Sequence, residues 1–143
     1  MILNKKTEYA LSIVIYVARA TKTERLVSTS QIYDSTLIPK KFSTVILSEL
    51  QRAGILKSVR GSNGGYTLNK GLRDITIFDI LRATTQLADK KADITDNLYQ
   101  DFAVRIDSEL EDEFYKILSS MNMETLLKRF ETMSSPMTPM FYI

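Results

Sequence analysis

Lys40 and Lys41 stand at the head of a segment with a helical apolar period, and Arg60 borders the glycine-rich run Gly61-Ser62-Asn63-Gly64-Gly65 beyond it. These residue types suit a polyanion. Ammonium groups neutralise phosphates and release their counterions, and a guanidinium either forks onto the paired acceptors of a guanine or enters a narrow minor groove. Other chemistries lack their residues. The 143-residue chain has no Cys and no His, so it holds no thiolate or imidazole ligand for zinc, haem or an iron–sulfur cluster. Disulfides and the Cys–His and Ser–His–Asp arrangements are excluded with them. No acidic run has the spacing of an EF-hand loop. The glycine run lacks the Gly-Lys-Ser/Thr ending and the following helix of a P-loop. The expectation is a chain that is not an enzyme and carries no metal or cofactor.

Charge is unevenly divided. Residues 1–73 hold 12 Lys/Arg against 4 Asp/Glu, and residues 74–143 hold 7 against 13. A basic first half suits nucleic acid, whereas the acidic second half would be repelled by it. At 44% hydrophobic and 25% charged residues, the composition is that of a globular protein with room for one domain and an added dimerisation element. The apolar run Ala10–Ala18 follows Lys5 and Lys6 but contains Ser12 and Tyr16 and is too short for a bilayer. With Tyr9, Ile13, Val14 and Val17 at helical spacing, it reads as an amphipathic helix capped by Asn4 in a cytoplasmic protein.

The elements that must position the basic residues can be placed from local signals. Ser28-Thr29-Ser30-Gln31 has the form of a capping box and opens a short helix, about 29–34. Ser35–Ile38 is expected to turn, and Pro39 to take the first position of the next helix. In that helix Phe42, Val45, Ile46, Leu50 and Ala53 are assigned to one apolar face, and Gly54 ends it. Strands are expected at 56–60 and 66–68, with Asn63-Gly64 supplying a positive-φ turn. Thr76-Ile77-Phe78-Asp79 is a second capping box, starting a helix to about residue 85. A helix followed by a longer helix and a basic hairpin is the pattern of a winged helix-turn-helix.

Residues 86–97 read as a loop. From about 101 to 121 Phe102, Ile106, Leu110, Phe114, Ile117, Leu118 and Met121 recur at three- and four-residue steps, with Asp107, Glu109, Glu111, Asp112 and Glu113 outside. A helix of roughly 30 Å exceeds what a small winged helix needs. Its stripe is wide enough both to pair with a second copy and to pack in part on the chain's own first helix. A short helix, 123–130, follows. The expected fold class is mainly α with a small β-hairpin wing: a winged helix-turn-helix domain at 1–85, a loop at 86–100, dimerisation helices at 101–133 and a C-terminal tail at 134–143. That tail, with two prolines, ends in Met140, Phe141, Tyr142 and Ile143, to be tucked onto the body or captured by a partner.

The stretch IPKKFSTVILSELQRAGILKSVRGSNGGYTL resembles the winged helix of the Rrf-two family of bacterial transcriptional regulators. The likeness lies in Leu50…Ala53-Gly54-Ile55-Leu56, in Ser58-Val59-Arg60-Gly61 and in Gly64-Gly65-Tyr66-Thr67-Leu68. Thr7, Tyr9-Ala10-Leu11 and the segment Ile75–Ile80 extend it over residues 1–85. It implies a homodimeric transcription factor, usually a repressor, on a partly palindromic double-stranded DNA operator. Carried over by position, it makes Lys40, Lys41, Phe42, Thr44, Ser58, Arg60, Ser62, Asn63, Gly64 and Gly65 candidates for DNA contact. Ser28 and Gln31 join them as phosphate anchors. Phe42 could serve the core or meet a thymine methyl.

Cluster-binding members of that family place three cysteines in the region that here spans 88–106, and this chain has none. Control by a protein partner or small metabolite is the remaining expectation. The ending Met140-Phe141-Tyr142-Ile143 resembles that of the family's cysteine-metabolism repressors, which implies O-acetylserine sulfhydrylase as a partner. The alternative is an adaptor that keeps the scaffold without reading DNA.

Overall fold

Asn4 opens the first helix, α1 (Lys5–Ala20), by accepting from the Thr7 N–H at 2.8 Å. The computed structural model describes residues 3–87 and 95–135. After α1 come α2 (Thr29–Thr36), α3 (Lys40–Arg52), the antiparallel strands β1 (Leu56–Val59) and β2 (Gly65–Leu68), and a 3-10 turn at Leu72–Asp74. The helices α4 (Ile77–Thr84), α5 (Leu98–Ser120) and α6 (Met123–Ser134) complete the order. The expected class is observed: mainly helical, with one two-stranded hairpin and a long C-terminal helix.

Both capping boxes form. Ser28 accepts from the Gln31 N–H while the Gln31 side chain accepts from the Ser28 N–H, and Thr76 and Asp79 reciprocate in the same way. The core lies where α1 meets the rest: Ile13, Val14 and Val17 pack with Ile32 of α2, Ile46, Leu47 and Leu50 of α3, Leu56 of β1, and Ile75 and Ile80. α6 lies against α1 and the 3-10 turn, while α5 packs on α4. A short bridge joins Thr76 to Asn122, with Ile77 N–H donating to the Met121 carbonyl and Met123 N–H to that of Ile75. Arg73 donates to Glu124 at 2.6 Å across the same seam and holds that carboxyl below its ordinary range.

Several expectations need correction. α2 runs to Thr36, where Leu37 takes the left-handed conformation (φ 55°) as its C-cap. Pro39 is the N-cap of α3, one place earlier than expected. The buried face of α3 is Ser43, Ile46, Leu47 and Leu50; Phe42 (49% exposed), Val45 (50%) and Ala53 face out. β1 ends one residue earlier than expected, at Val59, and β2 begins one residue earlier, at Gly65; Asn63-Gly64 has no positive φ, which Gly61 supplies at 119°. α5 begins at Leu98, because Asn97 caps it by accepting from the N–H groups of Tyr99 and Gln100. α6 continues four residues beyond Phe130 to Ser134. The part of the long helix that reaches the core, Leu118 with Phe114 and Met121 beside it, packs chiefly on α4. The tail residues Met140, Phe141, Tyr142 and Ile143 lie outside the described residues.

Candidate nucleic-acid interface

Three local devices set the recognition helix. Leu37 reverses the chain after α2, Ile38 is buried as an anchor, and the Ser43 hydroxyl donates to the Ile38 carbonyl at 3.3 Å inside the core. Thr44 donates to the Lys40 carbonyl at 2.9 Å, and its hydroxyl lies 3.2 Å from that of Tyr33 on α2. On the opposite flank the Tyr9 ring of α1 meets Phe42, centroids 6.0 Å apart. Lys6 holds Glu49 at 2.5 Å. Glu49 is the one acid of α3, so this pairing neutralises the helix's negative charge and turns it toward α1.

With 3.6 residues per turn, Lys41, Val45, Ser48 and Arg52 line the crest of α3 opposite its buried face, and all four are exposed. Thr44 and Gln51 occupy the flank toward α2 and the hairpin; Phe42 and Glu49 occupy the flank toward α1. Among the described residues no carboxylate pairs with Lys40, Lys41, Arg52 or Arg60.

Gly54, with φ 76°, ends the helix. Asn69 fixes the exit, its side-chain amide donating to the Gly54 carbonyl at 3.0 Å and its N–H to that of Ile55 at 2.9 Å. The hairpin then pairs Leu56 with Leu68 through to Val59 with Gly65, which leaves Arg60 at the start of the tip. Its base is bolted to the segment before α2. Val27 N–H donates to the Tyr66 carbonyl at 3.0 Å, and Tyr66 N–H donates back to Val27 at 2.7 Å. This close approach accounts for Gly65, and a second one, across the hairpin to Val59, accounts for Gly64. A Cβ on Gly65 would stand 2.4 Å from the Val27 carbonyl oxygen, and one on Gly64 would stand 2.0 Å from that of Val59.

Ser28, Ser58, Arg60, Ser62, Gly64 and Gly65 line one shallow groove between the start of α2 and the wing, and Thr29, Ser30 and Gln51 share it. Asn63, at the exposed wing tip, lies beside it. Lys40, Lys41, Phe42 and Thr44 sit on the first turns of α3. Gln31 is committed within the protein: its oxygen accepts from the Ser28 N–H at 2.8 Å and its amide donates to Glu24 at 3.0 Å. Ser28 keeps a hydroxyl proton to give. Val45, Arg52 and Gln51 were not among the sequence candidates. The helical period could have found them, had Phe42 and Val45 not been counted toward the core.

The stripe on α5 divides. Phe102 (63% exposed), Leu110 (65%), Ile117 (59%) and Ile106 point outward, with Leu98 and Tyr99 extending the apolar exposure to the helix start. Phe114 and Met121 are half-buried, and Leu118 is in the core.

The whole arrangement has close counterparts. A family model described as "Rrf2: Iron-dependent Transcriptional regulator" matches residues 3–129. Protein aau3 of Rhizobium meliloti is 35% identical over 85 residues, covering 59% of this chain and 53% of that protein. A Rhodobacter capsulatus protein named as an rrf2-like HTH-type transcriptional regulator is 32% identical over 82 residues, covering 56% and 55%. The matched stretch thus spans about half the length of these curated relatives. Among solved structures, T. potens IscR superposes with a TM-score of 0.76 over 98% of this chain and 96% of its own, a likeness of fold at 24% identity. CymR, the global cysteine regulator of B. subtilis, superposes with a TM-score of 0.69 at 26% identity, over 89% of this chain and 96% of its own. By its wing motif, its winged helix-turn-helix and a family match running from residue 3 to residue 129, the chain belongs to the Rrf2 family of transcriptional regulators.

Proposed function

We propose that this protein is a homodimeric, sequence-specific DNA-binding regulator that acts as a repressor on a partly palindromic operator. The observation that carries the reading is the pairing of two cationic elements on one side. The crest of α3 bears Lys41 and Arg52, the wing presents Arg60, and Gln51 on the flank of α3 shares with Arg60 the groove of hydroxyls and backbone between the wing and the start of α2. Helix α3 enters the major groove, the wing tip lies along the adjacent backbone or minor groove, and Ser28, Thr29 and Ser30 face the phosphates. Two such units related by a two-fold axis read two half-sites, and the outward apolar residues of α5 are the surface that joins them.

The family description names iron. This chain supplies no Cys or His, and among its described residues no three carboxylates gather into a possible metal group. The donors do not fit an iron or iron–sulfur centre, so control passes through a protein partner or small metabolite. O-acetylserine sulfhydrylase, engaged through Met140–Ile143, is the partner in this reading. Among the described residues no helix is long and apolar enough to cross a membrane, in keeping with action in the cytoplasm.

Arg60→Ala tests the reading on a duplex recovered from fragmented genomic DNA. Specific binding should weaken by about 1–3 kcal/mol, with relaxed preference at one position per half-site. Unchanged affinity and preference would count against DNA readout by the wing.

A further inference from the structure

Val45 is a branched apolar residue on the outermost line of the recognition helix, in its second turn, and half of its surface is open. It contributes nothing to the core: the inward positions of that helix belong to Ser43, Ile46, Leu47 and Leu50. Its neighbours along the crest are Lys41 one turn before, Ser48 one turn after and Arg52 two turns after, and the helix's acid is turned away and paired with Lys6. An apolar spot framed by cations and a hydroxyl, its one neighbouring carboxylate (Glu49, one turn on) half-buried and neutralised by Lys6, complements the floor of a major groove at one place. That place is the 5-methyl group of thymine, the apolar feature on a base edge there.

We propose that Val45 reads a thymine 5-methyl group in each half-site and so sets a base preference that the charged residues do not. The proposal rests on the DNA-binding function proposed above and adds the base class and the residue that selects it. Lys41 and Arg52 take phosphates on either side of the groove, and Ser48 donates to or accepts from a neighbouring base edge. Phe42, three residues before Val45 on the α1 flank, has its ring against Tyr9 instead.

The test uses the full chain and a duplex that it selects from a random-sequence pool. Each thymine is replaced in turn by deoxyuridine, which removes only the methyl, and binding is followed by fluorescence anisotropy. At one thymine per half-site the unsubstituted protein should lose roughly fourfold in affinity, the worth of one buried methyl. Val45→Ala should bind the thymine duplex about fourfold more weakly and show no further loss with uracil. Val45→Ile, which retains the branched methyl, should keep the uracil sensitivity, separating loss of the contact from loss of the fold. The proposal is overturned if no uracil position weakens the unsubstituted protein, if Val45→Ala keeps full sensitivity, or if Val45→Ile loses it. If the pool yields no preferred duplex, the DNA-binding reading itself falls and this one falls with it.

Discussion

Replacing Gly65 by alanine should detach the wing while leaving the helices folded. The added Cβ would stand 2.4 Å from the Val27 carbonyl oxygen and 2.8 Å from its carbon, both backbone atoms that no side-chain rotation can move aside. To admit it, β2 must withdraw from the segment before α2, at the expense of the two hydrogen bonds between Val27 and Tyr66. At a net contribution of about 0.5–1.5 kcal/mol each, their loss amounts to about 1–3 kcal/mol. For a chain of this size that lowers the melting temperature by roughly 3–9 °C. Gly71→Ala is the matched control. Gly71 has φ −63° and ψ 154°, which alanine adopts freely, and the nearest atom to its Cβ is the end of the Asp74 side chain at 3.3 Å. That variant should be neutral or gain about 0.4–1 kcal/mol from a less flexible unfolded chain. Thermal melts followed by circular dichroism give the stability difference, and anisotropy on an operator duplex should show at least about a tenfold loss for Gly65→Ala alone. If both variants melt together and bind alike, the close approach at Val27 is not what requires glycine.

Leu37 is 81% exposed and held in the left-handed region, so Leu37→Gly should raise stability by about 0.5–1 kcal/mol, visible as a higher melting temperature; a lower one would refute this use of the turn. Phe102→Glu with Leu110→Glu, both outward on α5, should convert a sedimenting pair into a single 16.3 kDa chain with little change in helix content. Unaltered sedimentation would remove α5 from the dimer surface. Deleting Met140–Ile143 should abolish co-purification with O-acetylserine sulfhydrylase while DNA binding persists, and undiminished co-purification would retire the tail as the docking element.

Local chemistry was the most legible part of this chain. Asn4, the two capping boxes and Gly54 lie where the sequence places them, because each depends on residues within one helical turn. What misled were apolar residues that are not buried. Phe42, Val45 and Ala53 follow a helical period yet lie off the core face, an exposure that the proposed contact of this surface with nucleic acid would explain. Leu98 and Tyr99 hid the start of α5 because they too are exposed, so no inward partner marked them. The wing turn was misread in mechanism. Asn63-Gly64 has the residue types of a positive-φ turn, but Gly64 is required by a steric approach to Val59, which only the folded register creates. At its other end α6 outlasts its apolar period, and Lys22 pairs with Glu131 in that last stretch across a separation no local pattern reveals.

Sequence-specific DNA binding by the α3 crest and wing can be read by selecting fragments of genomic DNA with the full chain at low salt and sequencing what is retained. An inverted repeat with half-sites about one helical turn apart should be enriched and bound at nanomolar concentration. Retention of no fragment above background at low salt, where electrostatic binding is strongest, would contradict that reading.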